Sequence, residues 1–152
     1  MSIQIVIIGG SDAGISAGLR ARGLDSECEV TIVVADRFPN YSICGIPFYL
    51  SDEVPDWRAL AHRTLEELTE AGLSLLLERR VHAIDPSHHH ITVVGADGQA
   101  QGLLYDRLII ATGATSVHPS ITGLDLPGVY PLRFMADALP CSSTWKRVHL
   151  VR

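Results

Sequence analysis

The chain opens on a nearly continuous apolar run, Ile3-Gln4-Ile5-Val6-Ile7-Ile8, which ends in Gly9-Gly10-Ser11-Asp12-Ala13-Gly14 and passes into Ile15-Ser16-Ala17-Gly18-Leu19-Arg20. Apolar residues at successive positions predict a strand buried on both faces, and the small residues behind it predict a tight turn into a helix that exits at Gly23-Leu24-Asp25. A second β-branched run, Val30-Thr31-Ile32-Val33-Val34, predicts the next buried strand. Thr64-Leu65-Glu66-Glu67 fits a capping box, so a helix is expected through Ala71 and an exit at Gly72, with Leu73 to Leu77 as a third parallel strand.

From Val81 the period changes. Val81 to Ile84, Ile91 to Val94 and Gly102 to Tyr105 are short segments separated by Asp85-Pro86-Ser87 and Ala96-Asp97-Gly98, the pattern of a small antiparallel meander. Arg79-Arg80 reads as a solvated strand terminus. Leu108-Ile109-Ile110-Ala111 is a further buried strand, closed by Thr112-Gly113-Ala114. Pro119, Pro127, Gly128 and Pro131 then mark a loop-rich stretch. Phe134 to Leu139 predicts one or two helical turns broken by Pro140, and Arg147 to Arg152 reads as a strand beginning.

The order strand, glycine turn, helix, strand is that of a nucleotide-binding βαβ unit. Gly9 serves the sharp turn, Gly14 the close packing of helix on strand, and the helix N-terminus supplies N–H groups for a phosphate. Ser11 at the third motif position makes the fingerprint degenerate, and Asp12 sets a negative charge beside a site meant for an anion. Asp36 follows the second strand about twenty residues past the turn, where such units place an acid for the ribose.

Composition narrows the field. With 152 residues, 47% of them hydrophobic and 19% charged, the chain is expected to fold as a globule, and a net charge of −5 speaks against a general nucleic-acid binder. Without an apolar run long enough to span a bilayer, no membrane segment is predicted, and a cytoplasmic location is expected. Three cysteines, at 28, 44 and 141, have no paired metal spacing. The run His88-His89-His90 is not read as a metal site, because neighbours on a strand face opposite ways. Cys44 is different. Pro47 forces a helix to start just before it, which leaves Cys44 at an N-terminal end, where free N–H groups favour a thiolate; the alternative is a small buried hydrophobe.

Four stretches in sequence resemble the N-terminal part of the FAD-dependent pyridine nucleotide-disulfide oxidoreductases, in their single-cysteine branch of coenzyme A-disulfide reductases and NADH oxidases. They are Ile7-Ile8-Gly9-Gly10-x-x-Ala13-Gly14, Ser42-x-Cys44-Gly45-Ile46-Pro47-Phe48-Tyr49, Tyr105-Asp106-x-Leu108-Ile109-Ile110-Ala111-Thr112-Gly113-Ala114, and Gly123-Leu124-Asp125-Leu126-Pro127-Gly128-Val129. The resemblance implies an α/β, Rossmann-like three-layer FAD-binding domain with a parallel sheet and a small antiparallel β-meander, incomplete at the C-terminus. It assigns residues 1–140 to that domain and 141–152 to the start of a second, truncated dinucleotide-binding domain.

By the same resemblance, Gly9, Gly10, Ser11, Ala13 and Gly14 would wrap the FAD pyrophosphate, Asp36 would hold the ribose and Arg37 would lie by the adenine. Val81 would touch adenine through its backbone, and Thr112 and Gly113 would line the cofactor. Cys44 would be the redox thiol, cycling through a mixed disulfide or a sulfenic acid against a small disulfide or peroxide substrate. Tyr49 stands where two-cysteine enzymes carry their second thiol, and Asp12 stands where peroxidase-like members carry a His. The family's NAD(P)H site would lie beyond this chain, so complete turnover is not expected of it, and a homodimer is one assembly the resemblance allows. A truncated, non-catalytic remnant and a plain NAD-binding Rossmann domain remain the alternatives at this stage.

Overall fold

The computed structural model describes residues 2–149, and of 144–149 only their place in the last helix. In chain order the elements are β1 (Gln4–Ile8), α1 (Asp12–Leu24), β2 (Glu29–Val33), a 3-10 turn (Ile43–Gly45), α2 (Ile46–Leu50), a second 3-10 turn (Trp57–Leu60) and α3 (Leu65–Glu70). There follow β3 (Leu73–Leu76), β4 (Arg79–Asp85), β5 (His90–Gly95), β6 (Ala100–Leu104), β7 (Arg107–Ile110) and α4 (Met135–His149). The chain divides into two units, Met1–Tyr41 with Arg63–Gly113, and Ser42–His62 with Ala114–Arg152.

The first unit is built on a parallel sheet in the order β3-β2-β1-β7. Ile7 lies between Ile32 of β2 and Ile109 of β7, and Ile32 pairs onward with Leu75. Both faces of this sheet are covered, which is why its strands read as apolar runs without alternation. On one face Ile7, Val30, Ile32 and Leu73 pack with Ile15 of α1 and Leu68 of α3. Gly18 of α1 lets that helix come close, for a Cβ there would stand 3.1 Å from Leu73 Cδ2 and 3.3 Å from Ile32 Cδ1. On the other face Val6 and Val33 pack with Ile91 and Val93 of the antiparallel sheet β4-β5-β6 and with Tyr105 just past β6. Helices, parallel sheet and meander make the three expected layers. Arg79 and Arg80 belong to β4, paired with Gly95 and Val94, so they open the meander where a free strand end was expected.

The expected capping box is formed: Glu67 N–H donates to Thr64 Oγ1 at 3.2 Å, and Thr64 N–H donates to Glu67 Oε2 at 2.7 Å. The histidine run splits. His88 Nδ1 meets Asp85 Oδ2 at 2.7 Å, while His89 stacks on Tyr105 with ring centroids 5.5 Å apart.

The second unit holds α2, the two 3-10 turns, the loop from Ala114 and α4. The helix expected to end at Pro140 instead runs on to His149, with Pro140 inside it, so Arg147–His149 are helical and no strand begins there; residues 150–152 lie outside the described residues. The reason is local. Asp137 Oδ2 accepts the N–H groups of Arg133 and Phe134 and fixes the helix start. Pro140 deprives the Ala136 carbonyl of a partner, but both residues are exposed, so water can take that carbonyl.

Candidate functional site

The C-terminal ends of β1, β2 and β7 converge on the glycine turn. Gly9 N–H donates to Val33 O at 2.9 Å and Ala111 N–H to Ile8 O at 2.8 Å, so the turn is bonded to both neighbouring strands. Gly9 has φ +117°, a conformation that only glycine adopts without strain, and a Cβ on it would lie 2.7 Å from the Ala111 carbonyl carbon and 3.3 Å from Thr112 N. A Cβ on Gly14 would land on the Gly9 carbonyl, and one on Gly10 would lie 2.6 Å from Val34 Cγ2. The turn is therefore packed as bare backbone. Ser11 is the N-cap of α1 yet makes no side-chain capping bond. The 13-residue helix thus presents its first N–H groups and positive dipole end without a hydroxyl cap from Ser11, the arrangement that receives an anion.

Asp36 lies just past β2, half-buried. Its Oδ1 accepts Phe38 N–H at 2.8 Å, and its carbonyl accepts Glu78 N–H at 3.0 Å. Burial pushes its carboxyl above the usual 3.8, with the Phe38 N–H pulling the other way. Arg37 is exposed, its guanidinium 5.0 Å from the Phe38 ring centre. Val81 is half-buried on β4, paired with Val93 beside a register shift. Thr112 and Gly113 are exposed just beyond β7, and Gly113 has φ +67°. The first unit so brings Gly9 to Gly14, Thr112 and Gly113 to one end of the parallel sheet. Asp36 and Arg37 follow β2 at that end, while Val81 stands on the meander.

A raised carboxyl fixes a sign. Asp36 favours the fold below its unfolded value near 3.8 and withdraws that stability as pH climbs through its higher folded value. Asp36→Asn keeps an acceptor for Phe38 N–H and removes the charge. Its unfolding midpoint is expected to equal or exceed that of the parent at pH 7, with the difference closing below about pH 4; a pH series of thermal melts checks this, and a variant weaker at pH 7 contradicts it.

Cys44 belongs to the second unit. It is exposed, at the centre of the 3-10 turn, with Pro47 in the first turn of α2 as expected. Ser42 shapes the turn by accepting Gly45 N–H on Oγ at 3.2 Å, and Ser42 N–H donates to Leu60 O at 2.7 Å. Leu60 backs the turn so closely that a Cβ on Gly45 would lie 2.6 Å from its Cδ2. Tyr49 is buried, and all three cysteines are unpaired.

The sequence named Ser42 in the thiol stretch without assigning it a role, and gave none to Leu60 behind the turn or to Asn40. Asn40 is buried, has φ +53°, and donates its N–H to Gly10 O at 2.8 Å and its Nδ2 to Asp12 Oδ1 at 3.1 Å. Its signal was the dipeptide Pro39-Asn40, a turn former whose second residue tolerates the left-handed region.

Among the described residues no helix is long and apolar enough to cross a membrane. The chain is 29% identical over 136 residues to an NADH oxidase of Methanocaldococcus jannaschii, covering 89% of this chain and 30% of that protein. It is 30% identical over 135 residues to an NAD(P)H sulfur oxidoreductase (CoA-dependent) of Pyrococcus abyssi, with the same two shares. Among solved structures it superposes on reduced CoADR-RHD of Bacillus anthracis with a TM-score of 0.92 at 25% identity, covering 98% of this chain and 27% of that one. The chain thus spans about 30% of the length of the curated relatives it matches. With residues 3–152 matching its profile, and with the fold to go with it, the chain belongs to the pyridine nucleotide-disulphide oxidoreductase family.

Proposed function

We propose that this chain is the FAD-binding portion of a flavin-dependent NAD(P)H:disulfide oxidoreductase that works through a single redox cysteine, Cys44. The observation that carries the reading is the bare-backbone cradle: Gly9 and Gly14 leave no room for a Cβ, and α1 begins between them, at Asp12. Gly9, Gly10, Ser11, Ala13 and Gly14 would receive the pyrophosphate, and Asp36 would accept the hydroxyls of the adenosine ribose. Arg37 and the Val81 backbone would lie at the adenine end, with Thr112 and Gly113 lining the cofactor beyond β7.

In this reading the Cys44 thiolate attacks one sulfur of a small disulfide, breaking its S–S bond to form a mixed disulfide and releasing the other half as a thiol. The two electrons that return Cys44 to the thiol are what the bound flavin supplies, drawn from NAD(P)H. Exposure of Cys44 and the absence of a thiol at Tyr49 support a mixed disulfide with substrate over an internal one. The cytoplasm is the compartment that suits three unpaired cysteines.

Purifying the chain, adding FAD or NAD, and removing free nucleotide tests the site. A visible flavin band that co-elutes with protein and that ADP displaces is the expected result; preferential retention of NAD points to a plain dehydrogenase domain, and retention of neither overturns the reading. Asp36→Asn is expected to lower FAD affinity about tenfold, the scale of one charge-assisted hydrogen bond.

A further inference from the structure

Asn40 bears two penalties that packing does not repay. Its backbone is left-handed, with φ +53°, and the residue is only 2% exposed while Oδ1 has no hydrogen-bond partner among the described residues. Native folds avoid buried acceptors without donors, and those that persist gather where function holds them. In return Asn40 makes two bonds to the start of α1, from its N–H to Gly10 O at 2.8 Å and from Nδ2 to Asp12 Oδ1 at 3.1 Å. The amide has one sensible orientation, since reversing it would set two acceptor oxygens against each other.

Asp12 is the first residue of α1, behind an N-cap that makes no side-chain bond. A carboxylate at that position is drawn to the same N–H groups and dipole that would receive a phosphate. A carboxylate that turns to those groups competes with an anionic ligand, by occupying them and by repulsion. Asn40, anchored through its own backbone to Gly10, holds one oxygen of that carboxylate toward the 38–41 loop.

We propose that Asn40 is a positioning residue for the phosphate turn: through its hydrogen bond to Asp12 it keeps the carboxylate from the N-terminus of α1, so that the diphosphate of a nucleotide can enter. This rests on the nucleotide-site reading above. Asp12 then acts as a charge that excludes anions whenever the clasp is open.

The test is a cycle of Asn40→Gly, Asp12→Ala and the double variant, reading equilibrium affinity for FAD and for ADP at low and high salt. Glycine keeps the left-handed backbone and the bond to Gly10 while removing the amide. Asn40→Gly is expected to weaken both ligands about five- to tenfold, less at high salt, as for a like charge at a helix N-terminus. Asp12→Ala is expected to bind at least as tightly as the parent, and the double variant to regain the parent's affinity. A loss in Asn40→Gly that persists in the double variant means that Asn40 acts through structure alone and overturns the proposal, as does unchanged affinity in Asn40→Gly. Should Asn40→Gly unfold early, Asp12→Ala decides, with affinity equal to or above the parent's in favour and weaker binding against. Failure of both the parent and Asp12→Ala to hold FAD or ADP overturns the nucleotide-site reading itself, and the clasp with it.

Discussion

Gly14→Ala is expected to abolish nucleotide binding and to lower the stability of the fold by about 3 kcal/mol, the scale of forced overpacking against atoms that cannot yield. The added methyl would fall on the Gly9 carbonyl oxygen, and would stand 3.1 Å from the Gly9 carbonyl carbon and 3.3 Å from Ile7 Cγ2. Two of those three neighbours are backbone, and Gly9 is itself locked by its bond to Val33 and by φ +117°. Relief can come only by moving α1 off β1, which opens the core that Ile15 shares with Ile7 and Ile32. At Gly10 the three atoms nearest an added methyl all belong to the Val34 side chain, so Gly10→Ala is expected to do less harm. Gly23→Ala is the control from the same helix. Nothing lies within 4 Å of its Cβ position and its φ is ordinary, so it is expected to gain about 0.5–1 kcal/mol. Urea midpoints with FAD retention check the ranking; Gly14→Ala melting with the parent would contradict it.

How far the sequence disclosed this arrangement depended on the range of the interactions involved. β1, the turn and α1 were legible because strand burial, a positive φ and a helix start each leave a local mark within a dozen residues. The Thr64 capping box and the helix start ahead of Pro47 were legible for the same reason. Pro140 misled because a proline in the sixth position of a helix carries the same local mark as a proline that ends one. What decides between them is whether the orphaned Ala136 carbonyl reaches water, and that is a fact of exposure. Asn40 was missed because its importance lies in a bond to a residue 28 positions away. Arg79 and Arg80 were misplaced for a similar reason, since only the pairing with β5 shows that they belong to a strand.

The other large effect is expected at Cys44. Cys44→Ser should leave FAD retention intact, because no part of the glycine cradle involves the thiol, and should remove the fast reaction with small disulfides. Serine has the shape of cysteine but neither its nucleophilicity near neutral pH nor the capacity to form a disulfide, so the loss is one of chemistry rather than of degree. The structure predicts which thiol reacts first. Cys28 is 2% exposed in the core beside Val30, Cys141 is half-buried on α4, and Cys44 stands open in its turn. Brief treatment of the native chain with limiting iodoacetamide is expected to label Cys44 before the other two, by a factor of at least about 10. Cys28→Ser and Cys141→Ser should leave both the labelling and the exchange with a small disulfide as they were. Mass spectrometry of the labelled peptides gives the order. A chain that labels first at Cys141, or whose Cys44→Ser variant still forms a mixed disulfide at the parent's rate, places the reactive sulfur elsewhere. If Gly45→Ala, which presses on Leu60, slows labelling of Cys44 without unfolding the chain, then the close backing of the turn by Leu60 is what holds the thiol in reach of its substrate.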